Sequence, residues 1–167
     1  MRIQHFVLAA LLTMAACKTK SAEDEWRQII ASIPWLMEVL DNCETYKAAK
    51  REGDKRDIYT TALRLVRAAE VKDVRGEVES VVSIGDAKKP DEYSVQIQVR
   101  DKVRFASQSK DRPVKRGTKL FEQVAALRPG QCVVFSASSI VATSWDERGK
   151  VCTPHYYAMF SNITPCR

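Results

Sequence analysis

"VRGEVESVVSI", residues 74–84, decides the fold. In an extended chain Val74, Gly76, Val78, Ser80, Val82 and Ile84 fall on one side, and Arg75, Glu77 and Glu79 on the other. A period of two with one apolar side marks a half-buried strand. Gly76 interrupts the apolar row, and a residue without Cβ there suits a strand that bends sharply. Beyond it, "GDAKKPDE" (85–92) reads as a turn, and "YSVQIQV" (93–99) resumes the alternation. Val95, Ile97 and Val99 point inward there, with Gln96, Gln98 and Arg100 outward. In "KVRFAS" (102–107) Val103 and Phe105 point inward and Lys102 and Arg104 outward. "KRGTKLFEQVAALRPG" (115–130) changes to helical spacing through Leu120, Val124 and Leu127, and Pro129 and Gly130 stop it. Two further strands, "QCVVFSASSIVATSW" (131–145) and "VCTPHYYAMFSNITPC" (151–166), flank a turn at "DERGK".

Three strands, a helix and two strands is the element order of an OB-fold, a five-stranded Greek-key barrel. The stretches "VRGEVESV" and "ALRPGQCVVFSA", with the alternating second strand, resemble the tRNA-anti-like OB-fold of small bacterial envelope lipoproteins over about 71–167. The resemblance implies an OB-fold-like five-stranded barrel over 71–167 and does not extend to the small helical section expected over 26–70, so the chain as a whole is expected to be α+β. That family name reflects kinship of fold and implies no tRNA binding. In the helical section Trp26, Ile29, Ile30, Ile33, Leu36, Met37, Leu40 and Cys43 recur at three- and four-residue steps. Pro34 divides the stripe into helices at about 24–31 and 34–51, or kinks one helix, and Ser32 can cap the second. "REGDKRD" (51–57) reads as a polar break, after which Asp57 caps a helix over 58–70 with Leu63, Val66 and Ala69 or Leu65 on its buried side.

The chain opens with Arg2, an apolar run from Phe6 to Leu12, and small residues up to Ala16. That layout is a secretory leader over 1–16, too short to cross a bilayer as a helix. Ala15 and Ala16 before Cys17 resemble the lipobox of bacterial lipoproteins, with Met14 where Leu is usual. The resemblance implies that Cys17 becomes the acylated first residue, followed by a tether through residue 25. Each buried methylene contributes roughly 0.8 kcal/mol, so several acyl chains make a durable membrane anchor. Lys18 after the cysteine implies an outer-membrane destination facing the periplasm.

Removing the leader leaves about 150 residues, enough for a core. Export sets an oxidising compartment, so Cys43, Cys132, Cys152 and Cys166 form two disulfides with three possible connectivities. A hairpin centred near 147–149 sets Cys132 opposite Thr164 and close to Cys166, which pairs those two and leaves Cys43 for Cys152 by elimination. His155 is the one histidine beyond the leader. A Cys3His zinc site from Cys132, Cys152, Cys166 and His155 competes with the disulfides, and oxidation favours the latter. No nucleophile-elbow motif is present, so a non-enzymatic protein without cofactor is expected.

Charge is lopsided. Beyond the leader 26 basic residues face 21 acidic ones, and residues 100–119 alone carry eight basic and two acidic side chains. OB-folds bind ligands across their second and third strands. The expected face is therefore Gln96, Gln98, Arg100, Lys102 and Arg104, with Lys115 and Arg116 beside it. Outward aromatics for stacking bases are missing from it, and Tyr93 or Trp145 would have to fold over it. The expected function is recognition or bracing of another envelope protein by a lipid-anchored domain. The alternative is binding of an anionic ligand, whether nucleic acid, phospholipid headgroup or glycan phosphate.

Overall fold

A computed structural model describes residues 22–67, 69–86, 88–100, 103–107, 113–143 and 146–166. The leader, Cys17, Lys102, Trp145 and the side chain of Arg100 lie outside the described residues. The chain is α+β, with helices α1 (Ala22–Ala31), α2 (Pro34–Ala48) and α3 (Glu52–Arg67) ahead of the sheet. Strands β1 (Val71–Asp86), β2 (Lys89–Arg100), β3 (Val103–Ala106) and β4 (Val114–Lys115) follow, then α4 (Lys119–Ala125), β5 (Cys132–Ala142), α5 (Glu147–Cys152) and β6 (His155–Pro165).

Five strands close on themselves in the order β1–β2–β3–β6–β5–β1, and β4 adds a short sixth beside β2. All pairings are antiparallel except β3–β6, where Phe105 lies beside Tyr156. Closure depends on β1 serving two neighbours, β5 from Val71 to Glu77 and β2 from Glu77 onward. Gly76 stands where the strand passes from one to the other. A Cβ there would lie 2.6 Å from Ile97 Cγ2 and 3.0 Å from the Gln98 carbonyl oxygen, so close packing against β2 requires glycine here, where the sequence suggested a sharp bend. The ring interior is aromatic and aliphatic. Phe105, Phe135 and Tyr156 are fully buried, the ring of Phe105 lying 5.4 Å from that of Phe135 and 5.2 Å from that of Tyr156, among Val78, Val95, Ile97 and Ile163.

Strand β1 departs from the expected alternation. Val78 pairs with Ile97 but Ser80 with Gln96, so one extra residue enters at Glu79. A bulge of this kind exchanges the two faces beyond it. Val81 therefore packs against the core and Val82, expected inward, is 54% exposed.

Helices occupy both ends of the ring. At one end, Thr118 Oγ1 accepts the Phe121 N–H to cap α4, whose Phe121 and Val124 are buried. Gln123 on the same helix reaches β6, where its Nε2 donates to Asn162 Oδ1 at 2.9 Å and its Oε1 accepts the Ile163 N–H at 3.4 Å. At the other end, Trp35 of α2 sets its indole edge against Tyr156 at 5.4 Å and Phe105 at 6.5 Å, and donates to the Glu70 carbonyl at 3.0 Å.

Several details of the helical layer correct the sequence reading. Ser32 Oγ donates to the Ile29 carbonyl, so it closes α1 and does not cap α2, and Pro34 itself begins α2. The break at Pro34 rotates the buried stripe onto Leu36, Val39 and Cys43, leaving Met37 41% exposed. The polar run 51–57 lies largely inside α3, because its charges alternate in sign: Arg51 pairs with Asp54 at 3.0 Å and Glu52 with Lys55 at 2.7 Å, three residues apart. Asp57 is thereby interior to a helix that ends at Arg67, earlier than expected. Similarly α1 begins at Ala22, within the stretch read as tether.

Disulfides join Cys132 to Cys166 and Cys43 to Cys152. The first pairing follows from register, although Thr164 lies opposite Val134 and not Cys132. That shift brings Cys166 directly onto Cys132, with its N–H donating to the Cys132 carbonyl at 3.0 Å. The second ties α2 to α5, a short helix capped by Asp146 where the sequence suggested only a turn. Consequently β6 starts at His155, four residues after the expected strand start.

Candidate functional site

The outer face of β2 and β3 carries the side chains that the sequence singled out. Val95, Ile97 and Val99 are buried, which turns Gln96 and Gln98 outward on β2; Arg104 lies opposite Gln98 on β3, between buried Val103 and Phe105. Glu79 reaches this face from β1, at the bulge. Its Oε2 accepts a hydrogen bond from Gln96 Nε2 at 2.5 Å and lies 2.7 Å from Arg104 Nε. Both members of that ion pair are about one-third exposed, at 33% and 32%, so solvent screens it only in part.

His155 completes the patch from β6. The parallel pairing of β3 and β6 sets it beside Arg104. Desolvation lowers its pKa below the ordinary 6.5, the Arg104 charge lowers it further, and Glu79 pulls the other way. Its Nε2 is buried without a hydrogen-bond partner among the described residues. The imidazole therefore favours its neutral form at neutral pH.

Of the seven residues expected to bind a ligand, the structure brings Gln96, Gln98 and Arg104 together. Lys115 lies farther along, opposite Glu92 where β4 pairs with β2. Arg116 is engaged away from the row, with Nη1 3.0 Å from Asp91 and Nη2 donating to the Pro90 carbonyl. Tyr93 does not cover the face, since its ring packs 4.8 Å from that of Phe121. Glu79 and His155 are the members that sequence reasoning missed. Glu79 was legible as outward, but its meeting with Arg104 depends on the register between β1 and β2. His155 depends on a parallel pairing that joins segments about fifty residues apart.

Among the described residues the patch sets one carboxylate against one guanidinium, with two amides and a neutral imidazole beside them. These described side chains offer directional hydrogen bonds. The four cysteines stand in two disulfides, so Cys132, Cys152 and Cys166 do not gather about His155 as zinc ligands. Among the described residues no cluster of three or more His, Cys, Asp or Glu is placed to hold a metal ion. A shallow cleft of about 300 Å³ opens beside Cys152, lined by Lys47 of α2 and Asp146, Arg148 and Gly149 around α5. Its Lys47 is paired with Glu44 at 2.6 Å. No protein family, curated protein or solved structure matches this chain.

Proposed function

We propose that this protein is a non-catalytic bacterial envelope lipoprotein, held to the outer membrane through acylated Cys17, whose OB-type barrel recognises or braces another envelope protein. The strand order of the ring, its parallel β3–β6 closure and the helix between β3 and β5 support the OB-type reading. The observation that carries the choice of partner is the Glu79–Arg104 pair. With Arg104 already matched by a carboxylate, the face favours a polar protein surface over a phosphate chain.

A photo-crosslinking residue in place of Gln98, in protein expressed in its own envelope, tests this. A discrete protein adduct that disappears with Arg104→Glu is the expected result; adducts only to nucleic acid or lipid would overturn it. Cys17→Ser should move the protein from the membrane to the soluble fraction. The second reading, an anionic ligand held by Arg100, Lys102, Arg104, Lys115 and Arg116, draws on the eight basic residues within 100–119. It requires binding that weakens steeply with salt and is lost when these residues become Ala.

A further inference from the structure

The two disulfides sit in different electrostatic surroundings. At Cys43–Cys152, Cys152 is the sulfur that borders the cleft, whereas Cys43 is only 6% exposed. A thiolate that attacks Cys152 must therefore expel the Cys43 sulfur as an anion into the core, and apolar burial disfavours a thiolate. The Cys43 carbonyl oxygen, 3.7 Å from Cys152 Sγ, sets the negative end of a dipole beside the same bond.

Cys132–Cys166 is built the other way. Cys132 begins β5, Cys166 follows the last residue of β6, and both are half-buried. Arg75, on the outward row of β1, donates from Nε to Cys132 Sγ at 3.1 Å. A guanidinium in contact with a sulfur favours its thiolate, and in thiol–disulfide exchange the sulfur of lower pKa leaves faster. Glu77 acts in the opposite sense, since it lies opposite Cys132 in the β1–β5 register. Its side chain is exposed to screening solvent, whereas Arg75 is in hydrogen-bond contact with the sulfur, so the cation decides.

We propose that Cys132–Cys166 is an exchangeable disulfide and that Cys166 is the site at which an incoming thiolate becomes covalently attached. The incoming sulfur bonds to Cys166 Sγ, the Cys132–Cys166 bond breaks, and its electron pair leaves on Cys132 Sγ, which stays as a thiolate beside Arg75. One disulfide replaces another, so the step consumes only the thiolate and transfers no proton. The ring remains closed throughout, because β5 and β6 stay paired from Val133 opposite Pro165 to Ala142 opposite Tyr156. The inference does not depend on the lipid anchor or on the outer β2–β3 face.

Treating the folded protein with β-mercaptoethanol, quenching with iodoacetamide and mapping its peptides by mass spectrometry tests it. The expected product carries a mercaptoethanol disulfide on Cys166 and a carbamidomethyl group on Cys132, and it forms while Cys43–Cys152 is still intact. Arg75→Gln should slow its formation about threefold, and Arg75→Lys should retain most of the rate. Glu77→Gln should raise the rate, and added salt should narrow the gap between Arg75→Gln and the parent protein. Earlier opening of Cys43–Cys152, the adduct on Cys132 with Cys166 alkylated, or a rate unchanged by both Arg75→Gln and Glu77→Gln would overturn the inference.

Discussion

The two ends of the strand ring are closed by different means. At the end covered by α4, the helix comes from the connection between β3 and β5; Thr118 within that connection caps it, and Gln123 ties it to Asn162 of β6. At the opposite end the cover comes from the amino-terminal helices, which reach the start of β3 and β6 through Trp35. Each end also holds one disulfide, Cys132–Cys166 spanning 34 residues and Cys43–Cys152 spanning 109. The difference teaches that a helix built between two strands of a ring is positioned by its connections. A helical layer arriving from outside the ring has to be fastened.

The largest effect expected is from Cys43→Ala with Cys152→Ala. The chain-entropy model assigns that cross-link about 5 kcal/mol, against about 4 kcal/mol for Cys132→Ala with Cys166→Ala. Urea unfolding should show this order. Limited proteolysis should release the helical layer only in the first variant, and release in the second would break the contrast. Trp35→Ala removes the aromatic contact of the same layer and is expected to cost about 3 kcal/mol with little change in sheet content by circular dichroism. Thr118→Ala, at the α4 end, removes only a cap and should lower stability by about 1 kcal/mol in the same unfolding assay.

The smallest effect is one of pH, and it belongs to the end where β6 begins. His155 has a native pKa below its unfolded value of 6.5. Above pH 6.5 the imidazole is neutral in both states and its contribution is complete. As pH falls below 6.5 the unfolded chain binds the proton first, so stability declines through the window down to the native pKa. Melting temperature measured across that window should fall less in His155→Gln than in the parent protein. An identical fall in both would place the pH dependence elsewhere.

Much of the fold is legible in the chain. The inward rows Val95–Ile97–Val99 and Val103–Phe105 and the helix carrying Val124 are local patterns within a few residues, and the structure places each as its spacing predicts. Misreadings arose where a local pattern had two physical solutions. A polar run such as 51–57 serves as a break or as a solvated helix turn, and its ion pairs at three-residue spacing decide for the helix. The row in β1 was correct as far as Val78, and one inserted residue at Glu79 then reversed it. The candidate site was legible as an outward row of Gln96, Gln98 and Arg104, but its charge balance was not, because Glu79 arrives from another strand.

By itself the sequence determined the local periods, which depend on residues within one or two turns of one another, and it presented an even set of four cysteines able to pair twice. Only the tertiary structure decided the β3–β6 closure, which helices cover which end, and that Arg104 meets Glu79. Those outcomes rest on pairing between distant segments, and because side chains alternate along a strand, a single-residue bulge reassigns every contact beyond it.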